Sequence, residues 1–326
     1  MRFFISRLFV CISILGLCMA GFLSPAFAVE SQSAKARALA HYTMGLIHDW
    51  NGSVDEAIGE YQESIRIEPD NYATHLKLGS NYGRLGDFDK AVKELEVAAD
   101  LNPKDIQAHY LLALIYSSQS KAEQATDEYE IILTRIAEEN PESAEAIAFL
   151  GQLYYSEGKM NQAIEQFEKI VLIEPKNAEI LSILGSLYLE VLQKEKAIDF
   201  FKRSIAIDPI HDGSLNSLGY LYAEDGINLD EAIDLVQRAL TVDPENGAYL
   251  DSLGWAYYKK GDYDKALLFL ERAEKFIEDP VVYDHIGDVY YQMDKTKSAV
   301  RFWQKSLDMM SGQEEILKKI QDVQSH

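Results

Sequence analysis

Cysteine is nearly absent from this chain. Its 326 residues hold two, Cys11 and Cys18, both close to the start. The rest of the chain therefore has no disulfide, no thiolate nucleophile and no cysteine-based metal site open to it, and its stability must come from packing. Positive charge is also scarce: 31 Lys and Arg stand against 53 Asp and Glu, a formal net charge of -22. The broad basic footprint of a DNA or RNA binder is missing, and direct docking on anionic membrane is disfavoured by the same sign. No P-loop, G-x-S-x-G or H-E-x-x-H run occurs, so the common signatures of phosphate binding, acyl transfer and zinc proteolysis are lacking. Apolar residues at 47% and charged residues at 26% exclude a disordered or collagen-like chain.

The one long apolar run lies at the N-terminus. Arg2 and Arg7 are the only charges before Glu30, and the run from Leu8 to Leu23 is followed by Ser24, Pro25 and Ala26-Phe27-Ala28. This pattern predicts a secretory signal peptide over residues 1–28, a mature chain beginning at Val29 and a periplasmic or secreted location. An uncleaved N-terminal anchor is the alternative, because the apolar run slightly exceeds the usual length. Lipidation at Cys18 is disfavoured, since Leu17 stands where a bacterial lipobox has a small residue. The mature chain would carry 29 basic and 53 acidic residues and no cysteine.

An internal period organises the rest of the chain. After Pro25 the prolines are Pro69, Pro103, Pro141, Pro175, Pro209, Pro244 and Pro280, with gaps of 34, 38, 34, 34, 35 and 36. Proline is disfavoured inside a helix and tolerated between helices, so each gap should hold one complete helical unit. Gly45, Gly79, Gly151, Gly185, Gly219, Gly254 and Gly287 recur in register, with Ala113 in the one missing place. Ala57, Ala91, Ala125, Ala163, Ala197, Ala232, Ala266 and Ala299 come twelve or thirteen residues later. Within a unit the apolar spacing is helical: Leu78 and Tyr82 are four apart, as are Ala91 and Leu95. Turns such as Gly86-Asp87 separate the two halves, and Ser53-x-x-Glu56 and Ser120-x-x-Glu123 look like capping boxes for the second half. Each unit reads as a helical hairpin.

A 34-residue helix-turn-helix with Leu-Gly-x-x-Tyr, then Ala, then an aromatic or Leu, then Pro, resembles the tetratricopeptide repeat. The resemblance implies an all-α, right-handed α-solenoid of about eight hairpins. We place them at 38–71, 72–105, 106–143, 144–177, 178–211, 212–246, 247–279 and 280–313, after a short lead over 29–37. Four extra residues before Pro141 predict a long second helix in the third repeat, from Ala122 to Glu139. Ile316, Leu317, Ile320 and Val323 predict a capping helix and tail over 314–326, with Glu315, Lys318 and Lys319 facing outward. The tryptophan that the family often carries at the fourth place is replaced by His41, His75, His109, Ile147, Leu181, Leu215, Leu250 and Tyr283. Three histidines one repeat apart could suggest a metal site, but stacked helices lie roughly 8–10 Å apart and zinc needs ligands at about 2 Å. They read as core residues.

In that family, places 2, 5, 9, 12 and 13 of each repeat point into a concave groove. Carried over residue by residue, the C-terminal part of this groove is acidic and aromatic: Tyr155, Tyr220, Glu224, Asp251, Trp255, Tyr258, Asp284, Asp288 and Tyr291. The N-terminal part offers an apolar, nearly neutral set in Tyr42, Leu46, Trp50, Leu76, Tyr110 and Leu114. Glu145, Glu179 and Glu190 add further acids, against Lys259 alone. The implied function is a non-enzymatic scaffold without metal or cofactor that holds a protein or peptide, with a basic segment favoured by the charge. Assembly of an envelope, pilus or polysaccharide-export complex is the setting suggested by analogy. The alternative is a module that self-associates, or docks on a membrane complex, through its apolar first repeats.

Overall fold

The computed structural model describes residues 25–324, with side chains from residue 31 onward. Residues 1–24, which hold most of the expected signal segment, lie outside the described residues. Among the described residues there are seventeen helices and no strand. They form two compact units, one up to Asn140 and one from Pro141.

The first unit contains α1 (Pro25–Trp50), α2 (Val54–Ile67), α3 (Tyr72–Leu85), α4 (Phe88–Leu101), α5 (Ile106–Ser118) and α6 (Ala122–Glu139). The second contains α7 (Ala144–Ser156), α8 (Met160–Ile173), α9 (Ala178–Glu190), α10 (Lys194–Ile207), α11 (Asp212–Glu224) and α12 (Leu229–Val242). It continues with α13 (Gly247–Lys260), α14 (Tyr263–Ala273), α15 (Pro280–Gln292), α16 (Thr296–Met309) and α17 (Glu314–Gln324). Each odd-numbered helix up to α15 packs most heavily on the next helix in the chain, and α17 packs on α16. Both units are therefore α-solenoid stacks of helical hairpins. The helix α6 has 18 residues where α2, α4 and α8 have 14, about one extra turn.

In seven of the eight hairpins a first-helix glycine faces a large side chain of the second helix, Ala113 taking that place in α5. A methyl group added at Gly185 of α9 would lie 2.6 Å from the ring of Phe201 on α10, and one at Gly254 of α13 would lie 2.6 Å from Leu270 on α14. Tyr61, Leu95, Phe167, Val236 and Trp303 meet Gly45, Gly79, Gly151, Gly219 and Gly287 in the same way. Glycine thus gives up helix propensity, about 1 kcal/mol against alanine, and lets each large side chain be fully buried, worth on the order of 2–3 kcal/mol. The alanines of the second helices are buried at every repeat, from Ala57 to Ala299.

A second closure, carrying no obvious sequence signature, is a serine latch. The hydroxyls of Ser64, Ser204 and Ser306 on second helices donate to the carbonyls of Ala38, Ala178 and Pro280, 26 residues earlier, at 2.9, 2.8 and 2.7 Å. All three serines are wholly buried, so the bond satisfies a hydroxyl that would otherwise be costly to bury.

Helix starts differ from the expected capping boxes. Ser53 sits at the N-cap of α2 without a side-chain cap bond. Ser120 lies outside the N-cap of α6, in left-handed backbone at φ 58°, because the turn needs that conformation there and glycine is not available to supply it. The side-chain caps are instead Asn71, Asp105, Ser143, Asn177, His211, Asn246 and Asp279 on first helices, and Asp87 and Asp262 on second helices. The capping helix α17 also departs from expectation: Ile316 and Ile320 are buried, Leu317 is exposed, and Lys319 turns inward.

The close approach at Gly185 gives a signed prediction. Gly185→Ala should lower the urea midpoint by the equivalent of about 1–3 kcal/mol through overpacking against Phe201. In α2, a Cβ at the exposed Gly59 would meet nothing within 4 Å, so Gly59→Ala should raise the midpoint by about 0.5–1 kcal/mol. Equal effects at the two sites would refute the interlock.

Candidate peptide-binding groove

The three repeated histidines of the first unit are held by carboxylates. His41 pairs with Glu60 at 2.7 Å, His75 with Glu94 at 2.6 Å and His109 with Glu128 at 2.6 Å, each 19 residues on and on the partner helix of the same hairpin. Among the described residues no group of three or more His, Cys, Asp or Glu is arranged to hold a metal. Burial pulls the pKa of His75 down, but the bonds to Glu94 and to the Pro69 carbonyl outweigh it and leave the group raised.

At the C-terminal end of the second unit, the expected groove acids and aromatics engage one another. Trp255 is only 8% exposed. Its ring stacks on Tyr258 at 4.7 Å and on His285 at 4.0 Å, and its Nε1 donates to Glu224 at 2.7 Å. Asp251 is buried and pairs with His285 at 2.9 Å. Lys319 of α17 reaches both Asp284, at 2.8 Å, and Asp288, at 2.7 Å, and Asp288 also accepts the Trp303 indole N–H at 3.0 Å. Burial, and then Glu224 and Asp251, push the Tyr220 hydroxyl up to about 12. Tyr291 leans on Trp303 and stays half exposed.

These contacts correct two expectations. Trp255 does not stand free as an anchor, and Asp251, Asp284 and Asp288 are not free charges. The stacking of repeats sets places 5 and 9 of one first helix against the next first helix, where a bulky or charged side chain finds a partner inside the chain.

The groove is open one step earlier, between α7 and α9. A cavity of about 440 Å³ is lined there by Ala148, Gln152 and Tyr155 of α7 and by Ser182, Ile183 and Ser186 of α9, over Phe167, Ile180 and Leu187. Places 5 and 9 of these two repeats are Ala148, Gln152, Ser182 and Ser186. The same ninth place two repeats further on is Trp255, and one repeat further on it is Tyr220. Small side chains leave the space that the larger ones fill. Glu179 and Glu190 stand at opposite ends of α9 on the cavity wall. Tyr155 donates to Glu190 at 3.0 Å, which raises the tyrosine pKa, and His211 pairs with Glu179 at 3.1 Å.

The apolar set of the first unit is divided. Leu76 and Tyr110 line a cavity of about 360 Å³ together with Ser80, Gln107 and Ile132. Tyr42 and Leu46 pack on the core of α2 and α3, with Tyr42 tilted against Tyr61 at 5.9 Å. Leu114 is 44% exposed and Trp50, at the end of α1, is 90% exposed. Of the lining of the open cleft, the sequence singles out Tyr155, Glu179 and Glu190. The signal that marks the rest is the run of small residues at places where neighbouring repeats carry aromatics.

Comparison with known proteins agrees with this architecture. Tetratricopeptide repeat family models match residues 51–115 and 121–187, 218–280, and 178–211, together more than half of the chain. The chain belongs to the tetratricopeptide repeat family, whose members serve in general to bind other proteins. Among solved structures, the Cut9–Hcn1 hetero-tetramer of the APC/C is 18% identical over 83% of this chain and 52% of that one, with a TM-score of 0.54. MamA is 27% identical over 48% of this chain and 91% of its own, with a TM-score of 0.43. A tetratricopeptide repeat protein from Parabacteroides merdae ATCC 43184 is 16% identical over 89% and 99%, with a TM-score of 0.44. No curated protein matches the chain by sequence. Among the described residues no helix is long and apolar enough to cross a membrane.

The Asp251–His285 pair gives the site a pH signature. Burial lowers the His285 pKa, but the charge and bond of Asp251, with Asp284 and Asp288 behind them, more than offset this and leave it raised. A raised histidine contributes stability that is whole below its unfolded pKa of about 6.5 and is lost as pH rises through the folded value. Asp284, raised by burial and then by Asp288, has the same sign, but its loss begins in the ordinary carboxylate range, so His285 carries the change near neutral pH. The thermal midpoint should therefore fall as pH rises from 6 to 8, and the fall should shrink in His285→Gln. A midpoint that climbs over this range would contradict the pairing.

Proposed function

We propose that this chain is a non-enzymatic scaffold that holds a segment of another protein in the cleft between α7 and α9. The observation that carries this reading is the opening of the groove at Ala148, Gln152, Ser182 and Ser186, while the equivalent places in later repeats are filled from within the chain. Apolar clefts with a few convergent polar groups are the usual form of a binding site. The N-terminal pattern around Ala26-Phe27-Ala28 supports export, and the setting we favour is assembly of an envelope, pilus or polysaccharide-export complex.

One substitution tests the cleft. Trp255 shows that a tryptophan at the ninth place is compatible with the repeat, and Ser186 is exposed, so Ser186→Trp should fold normally and fill the cleft. Capture of the partner from the envelope fraction should then fall by about tenfold or more, as expected for loss of a pocket that seats a hot spot. Unchanged capture by a folded Ser186→Trp chain would refute this site.

A second reading draws on α1, where Leu39 is 60% exposed, Ile47 43% and Trp50 90%. Such a face could pair the chain with itself or with a membrane complex. Light scattering separates the readings: a dimer that Trp50→Ser returns to monomer favours self-association, and a monomer disfavours it.

A further inference from the structure

We infer that the α7/α9 cleft takes an extended segment whose apolar side chains lie between two basic residues about five positions apart. This rests on the proposed role of the groove and names the chemistry of its occupant. The cleft floor is apolar, built from Phe167, Ile180, Ile183 and Leu187, so the middle of the occupant is apolar. Two carboxylates, Glu179 and Glu190, stand on its wall, and no Lys, Arg or His belongs to the lining. Each carboxylate is oriented by a neighbour, Glu190 by the Tyr155 hydroxyl and Glu179 by His211. Both remain exposed, and the phenol bond occupies one oxygen of Glu190 only. The whole chain repels acidic partners, at a formal net charge of -22, so complementary charge on the occupant is positive.

The spacing fits an extended chain. Glu179 and Glu190 are eleven residues apart on one helix, about 16 Å along its axis. An extended chain covers that distance in about five residues at roughly 3.3 Å each. Place 12 on α7 supplies Tyr155, which bounds the Glu190 end, and the small Ser182 and Ser186 leave the middle open to apolar side chains.

The probe is a fluorescein-labelled peptide, Gly-Lys-Val-Leu-Val-Leu-Lys-Gly, titrated with the purified chain by fluorescence anisotropy. Its counterpart carries Glu in place of both Lys. The expected result is binding of the Lys peptide that weakens with added salt, that falls about tenfold in Glu179→Gln/Glu190→Gln, and that the Glu peptide does not show. Circular dichroism of the double variant, whose changes are at exposed sites, checks that it is folded. If both peptides bind alike and Ser186→Trp abolishes both, the charge assignment is overturned and the groove reading stands. If neither binds while Ser186→Trp still loses the envelope partner, the extended basic class is overturned and the groove reading again stands. If Ser186→Trp affects neither peptide nor partner, both fall.

Discussion

The close contact between a first-helix glycine and a large side chain on the second helix is the constraint on which the other features depend. With the glycine in place, a ring such as Phe201 can lie flat against the neighbouring backbone, and the hairpin closes tightly enough for Ser204 to reach the Ala178 carbonyl. Closed hairpins present their first helices at a regular spacing, so groups about one repeat apart meet along the chain. Asp251 meets His285 34 residues on, Asp284 meets Lys319 35 residues on, and Tyr155 meets Glu190 35 residues on. In the first unit Asn81 and Arg84 meet Asp49 at separations of 32 and 35. The same period that defines the fold therefore defines the polar bonds between its repeats.

That regularity explains why an acidic face is not by itself an acidic binding surface. Near α13, α15 and α17 the carboxylates are used to hold successive first helices together, and Trp255 is part of that wall. In α7 and α9 the equivalent places carry Ala148, Gln152, Ser182 and Ser186, and the short side chains of Ala148, Ser182 and Ser186 leave space between the two helices. A cleft results, with the Glu179 and Glu190 carboxylates left at its two ends. Binding capacity in such an array comes from the places where the repeat is underfilled.

Much of the architecture was legible in the residues. Proline and glycine each mark a backbone requirement that returns every 34 residues or so, and that period locates the hairpins without any knowledge of contacts. The long α6 could be read because four extra residues must be absorbed by a helix turn. The groove was legible only in part, since the register names which side chains point inward and does not say whether the next repeat supplies a partner. Lys319 illustrates this. It lies three residues after Ile316 and four before Val323, on the buried face of α17, yet a lysine in the last helix reads as solvated until Asp284 and Asp288 are seen opposite. The capping serines failed for a different reason: Ser120 is used for its left-handed backbone in the turn, which its neighbours Glu123 and Lys121 do not reveal.

The location of the binding cleft is the central claim, and hydrogen exchange of the chain with and without its captured partner tests it most directly. Bound partner should slow exchange at the amides of α7 and α9, leaving α13 and α15 at their free rates because their groove faces are already closed by Trp255, His285 and Lys319. Slowing confined to α13 and α15, or to the exposed face of α1, would contradict it.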